Sequence, residues 1–134
     1  MIWVPWTRGP AEPGDGPVVV SVTDYLPRSP RHYPGVVAQG LRLRAGWFAL
    51  DGAIGLLLHS LPLQLRSGSL SFWTSEDVLR RYVGLPRHVA VMRRYAALGD
   101  LRSKTWTQEH FEPEAARRTA LEWLDEGRPG CSGG

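Results

Sequence analysis

The chain has 134 residues, 43% of them hydrophobic, which suits a single domain with a core of its own. Its 16 basic and 13 acidic residues leave a net charge of +3, and the arginines are scattered rather than gathered into the patch that a phosphate backbone requires, so no nucleic-acid partner is expected. A lone cysteine, Cys131, rules out an intramolecular disulfide and a Cys-based metal site, and no stretch reaches the roughly 18 apolar residues of a membrane helix.

Residues 1–16, rich in turn formers, read as an extended N-terminal arm whose Trp3 and Trp6 could dock on the domain or on a second subunit. They lack the basic start and apolar core of a secretion signal, which together with the cysteine usage predicts a cytoplasmic protein. The folded domain is expected over 17–126. PVVVSVTDYL (17–26) is β-branched and alternating, a first strand. Ser29 and Pro30 open a helix in which Tyr33, Val37 and Leu41 recur every four residues. AIGLLLHSLPLQL (53–65) is apolar at nearly every position and predicts a strand buried on both faces. SGSLSFWT (67–74) alternates as a third strand and runs into Ser75, Glu76 and Asp77, a helix cap followed by two acids.

The stretch FWTSEDVLRRYVGLPRHVAVMRRY (72–95) would be one amphipathic helix but for Gly84, Leu85 and Pro86. An interior proline costs about 3 kcal/mol, so the chain is expected to stop and restart, with Pro86 at the first position of a new helix and His88 in its first turn. The positive end of the helix dipole then keeps that imidazole neutral and able to accept a proton. LRSKTWTQEHF (101–111) alternates as a fourth strand. EPEAARRTALEWLDEG (112–127) predicts a terminal helix with Ala116, Ala120, Leu121 and Leu124 inward, and 127–134 a flexible tail. The order strand, helix, strand, strand, helix, strand is the split βαβ arrangement, a ferredoxin-like α+β sandwich. Four strands covered on one face only would leave an apolar face bare, and a second copy would cover it, so a homodimer is expected.

The run from Gly52 to Tyr95 resembles the centre of antibiotic-biosynthesis-monooxygenase-like proteins of the dimeric α+β barrel superfamily. It shows, in order, the Gly52 to Gly55 strand start, a strand ending in an aromatic pair and the Trp73, Thr74, Ser75, Glu76 turn, a helix broken before His88, and then Met92, Arg93 and Arg94. The resemblance spans about residues 17–111. It implies a cavity between sheet and helices that takes a small hydrophobic aromatic or polyketide-like substrate, and cofactor-independent monooxygenation as the activity. A polyketide cyclase or isomerase, a noncatalytic hydrophobic-metabolite binding protein and a haem-binding oxygenase are the alternatives. In the haem branch, Met92 stands close to where the resemblance would place the iron-ligating histidine, so no cofactor is expected.

Within that frame His88 is the candidate base. His59, alone in the apolar strand, is either a hydrogen-bonded core residue or a polar group aimed into a pocket. Trp73 and Trp106 could wall the cavity or be core tryptophans. Asp24 and Tyr25 close the first strand and could face the cavity mouth, and Met92 is a further candidate substrate contact. No hydrolytic triad spacing, glycine-rich phosphate loop or paired histidines suited to a metal is present.

Overall fold

In the computed structural model, which describes residues 1–126, five antiparallel strands form one sheet. They are β1 (Ile2–Arg8), β2 (Val18–Pro27), β3 (Ala53–Leu61), β4 (Arg66–Trp73) and β5 (Gly99–Gln108), in the order β1-β3-β4-β2-β5. Helices α1 (Tyr33–Gly46), α2 (Glu76–Val83) and α3 (Pro86–Ala96) are the split βαβ crossovers, and α4 (Pro113–Glu126) closes the described chain. Without β1 and α4, the arrangement β3-β4-β2-β5 is the ferredoxin-like sandwich that the element order predicted. The expected tail, with Cys131, lies outside the described residues.

Two expectations need correction. The arm supplies a fifth strand: residues 2–8 pair antiparallel with β3, from Ile2 opposite Ser60 to Arg8 opposite Gly55. Pro5, one of the turn formers on which the reading of an arm rested, falls where the register shifts between Val4 and Thr7, on an edge, where a missing N–H is tolerated. Trp6 turns back over β3, and a Cβ at Gly55 would lie inside its indole ring. The second correction concerns the face expected to be bare. Ala116, Ala120 and Leu124 of α4 are buried there against Val20, Val22, Leu70 and Phe72. A second copy is therefore not needed to cover the middle of that face.

The alternation of β2 and β4 sorts side chains between two cores. Val18, Val20, Val22, Leu70 and Phe72 face α4. Val19 and Trp73, with Leu56 and Leu58 of β3, face the other way, where Leu43, Val78, Leu79 and Tyr82 pack against them. Each fully buried aliphatic side chain contributes about 1.5–3 kcal/mol. The α4 side is also fastened by charge. Asp24, fully buried, accepts from Arg66 and Arg102, and both guanidinium groups donate to the Leu124 carbonyl in the last turn of α4.

Candidate functional site

The helix break lies where the sequence put it. Ser75 caps α2, its side chain accepting from the Val78 N–H, and α2 ends at Val83. The last carbonyls of a helix have no intrahelical donor, and the restart of the chain at Pro86 takes the Arg87 N–H away from the Val83 carbonyl. His88 Nδ1 takes that place at 3.1 Å. A carbonyl can only accept, so Nδ1 carries the proton and Nε2 keeps its lone pair. Burial lowers the His88 pKa from its ordinary value, partly countered by the bond to Val83, so the ring is neutral at pH 7. The sequence argument reached the same charge state through the helix dipole; in the structure burial dominates.

His88 ends a chain of rings that begins in the core. Trp47 and Trp73 meet edge to face at 5.0 Å, Trp73 and Tyr82 at 5.0 Å, and Tyr82 and His88 at 4.5 Å. Trp73 is held by its indole N–H, which donates to Ser71 Oγ. Burial pushes the Tyr82 phenol up to about 12, so it keeps its proton throughout the neutral range.

The sheet beneath the helices is lined with hydroxyls. By strand alternation Ser21 and Thr23 of β2 share the Trp73 face with Ser67, Ser69 and Ser71 of β4. Thr23 and Ser69 hydroxyls bond at 2.9 Å, Thr105 of β5 donates to Ser21, and the Tyr33 hydroxyl of α1 bonds to Ser60. The helices above this floor bury none of their own side chains fully, whereas α4 on the opposite face buries three. Two buried donors at the C-terminal end of α1, Arg44 Nε and Trp47 Nε1, have no hydrogen-bond partner among the described residues. Hydroxyls beside aromatic rings are the groups that would match a flat molecule carrying several oxygens.

The sheet divides the sequence-predicted residues. His88 and Trp73 stand together on the helix side. Tyr25 is there too, its ring edge-on to Tyr95 at 5.8 Å and its hydroxyl donating to the Tyr95 carbonyl, while Met92 is half-buried one turn beyond His88 on α3. His59, Asp24 and Trp106 lie on the α4 side. Trp106 packs against the α4 core beneath the Lys104 ammonium, and Asp24 is closed in by its two arginines. The sequence reading did not pick out Trp47 or Tyr82, nor the hydroxyl floor, although serine at 67, 69 and 71 repeats with a strand's period of two and marks a polar face.

His59 is almost wholly buried, edge-on to Trp3 at 5.5 Å, with Nε2 2.8 Å from the Thr23 carbonyl. It crosses Gly68, where any Cβ would meet both the Thr23 carbonyl and the imidazole. Burial lowers its pKa, outweighing the Thr23 bond and the Asp24 charge, while Arg66 adds to the lowering. The unfolded chain therefore binds a proton below its ordinary value of 6.5 that the folded chain does not yet bind, and stability falls as pH drops through that window. Urea midpoints at pH 7.5 and 5.5 should differ more for the parent than for His59→Gln, whose amide can still donate to Thr23. Equal differences would show that His59 is not the group responsible.

No family model matches the sequence, and no curated protein is significantly similar to it. The comparison of structures gives the class: the chain has the α+β fold of antibiotic-biosynthesis-monooxygenase-like proteins. SnoaB, a cofactor-independent oxygenase from Streptomyces nogalater, superposes with a TM-score of 0.55 at 18% identity, over 72% of this chain and 97% of that one. SO0527 from Shewanella oneidensis gives 0.61 at 12% identity, over 75% and 98%. A Deinococcus radiodurans protein provisionally assigned as an antibiotic biosynthesis monooxygenase gives 0.56 at 15%, over 70% and 93%. At such identities the likeness establishes the fold.

Proposed function

We propose that the protein is a small-molecule oxygenase that needs no bound cofactor, acting on an aromatic or polyketide-like substrate between the helices and the hydroxyl floor. The observation that carries this reading is the state of His88: neutral, half-buried, its Nδ1 proton committed to Val83 and its Nε2 available. The fold shared with SnoaB supports the same chemistry.

In this reading the substrate is an anthrone-like methylene or a hydroquinone, acidic enough to lose a proton to His88 Nε2. The carbanion so formed reduces oxygen itself, through a hydroperoxide that collapses to a carbonyl. A methylene and one O2 thereby give one ketone and one water, with no external reductant. Tyr82, protonated and in ring contact with His88, and whichever hydroxyl of the bonded Thr23–Ser69 pair keeps a free O–H are the donors suited to the developing enolate oxygen. The ring chain from Trp47 to Tyr82 supplies the apolar wall.

The test is oxygen uptake by the purified protein with dithranol, an anthrone, and with a naphthalene hydroquinone, without added cofactor. One oxygen consumed per substrate without release of hydrogen peroxide, with the anthraquinone as product from dithranol and the hydroxyquinone as product from the hydroquinone, supports the reading. Tight binding with unchanged substrate would make the protein a metabolite carrier instead.

A further inference from the structure

A cavity lies on the other side of the sheet from His88. It holds about 650 Å³, within the range of small-molecule sites, and opens between β1, the segment that follows it and the start of α4. Ile54 and Leu57 of β3 form its base, and Trp3, Trp6 and Phe111 its aromatic sides, Trp6 and Phe111 lying 5.8 Å apart. Three rings around one concavity favour a planar apolar body.

The charges on the rim are unequal in availability. Arg8 is committed to Glu12 at 2.6 Å. Arg117 has no hydrogen-bond or ion-pair partner among the described residues, and its guanidinium is stacked over the Trp3 ring, 4.9 Å from the centroid. Stacking orients the planar fork and leaves its N–H groups for an acceptor. Glu114 also lines the cavity, one turn before Arg117, and opposes an anion.

We infer that this cavity is a second small-molecule site, for a planar aromatic ligand carrying a carboxylate or sulfonate that Arg117 receives while Trp3, Trp6 and Phe111 hold the ring system. It is independent of the oxygenase reading, because the sheet separates it from His88.

Two fluorescent probes with the same rings test it: 1-anilinonaphthalene-8-sulfonate, an anion, and N-phenyl-1-naphthylamine, its neutral counterpart. The parent should bind the sulfonate more tightly. Arg117→Gln should weaken sulfonate binding about tenfold and leave the neutral probe unchanged, the loss expected for one charge-assisted contact. Arg117→Lys should fall between, Glu114→Gln should tighten the sulfonate, and Trp6→Ala should weaken both probes. Urea midpoints of each variant identify any that fail to fold. His88→Ala should change nothing, which separates this site from the one across the sheet. The inference is overturned if Arg117→Gln binds the sulfonate like the parent. It is equally overturned if the parent binds neither probe and light scattering shows a dimer that Trp6→Ala dissociates, since the groove would then seat a second copy.

Discussion

Replacing Asp24 by alanine should destabilise the protein by about 3–5 kcal/mol, the usual consequence of removing one member of a buried ion pair. The Asp24 side chain is fully buried and that of Arg66 is 3% exposed, so water cannot take over the charges. Asp24 accepts from Arg66 Nε at 3.2 Å and Nη2 at 2.9 Å, and from Arg102 Nε at 3.1 Å. Without it, two guanidinium groups would face each other beside the Leu124 carbonyl, to which both already donate, at 2.9 and 3.1 Å. That loss is a large part of the roughly 5–15 kcal/mol that holds a typical domain together. Arg102→Ala should cost less, because its side chain is 20% exposed and Arg66 still serves Asp24. Urea denaturation measures both. A loss below about 1 kcal/mol for Asp24→Ala would mean that the network does not hold α4 on the sheet.

His88→Ala should lower turnover about 10²- to 10⁴-fold, the usual contribution of a positioned general base, while the urea midpoint stays close to the parent's. The ring is only half-buried and it bonds to a helix-end carbonyl, so its removal leaves no buried charge and a single acceptor to rehydrate. Pro86→Ala is the companion variant. Leu85 before it is extended (φ −62°, ψ 137°), and the first bond of α3 runs from Val89 N–H to the Leu85 carbonyl. With an N–H restored at 86, α2 and α3 can attempt to merge, which draws Val83 away from Nδ1 and moves the imidazole. Activity should drop with little change in stability. Parental turnover in Pro86→Ala would mean that the break only bends the helix around the sheet.

The helix break was legible because it is local: glycine and proline two positions apart in an amphipathic pattern allow few other conformations. The four strands β2 to β5 were legible from alternation and turn signals. The edge strand was hidden by Pro5, whose tolerance depends on a register shift and an edge position that only the paired sheet defines. The division of the site residues was hidden for a related reason. In AIGLLLHSL nearly every position is apolar, so His59 carries no label of the face it takes, and the register shift between Ala53 and Gly55 resets the count. Asp24, Arg66 and Arg102 stand 42 and 78 positions apart in pairs, and no spacing rule connects them.

The dependence of oxygen uptake on pH tests most directly whether His88 is the base. With its pKa lowered by burial, the neutral imidazole persists below the ordinary 6.5, so kcat/KM of the parent should fall with acid on a single limb whose midpoint lies below 6.5. The residual rate of His88→Ala should be flat across that limb and should rise with added imidazole. The same acid limb in parent and variant, with no response to imidazole, would contradict the account.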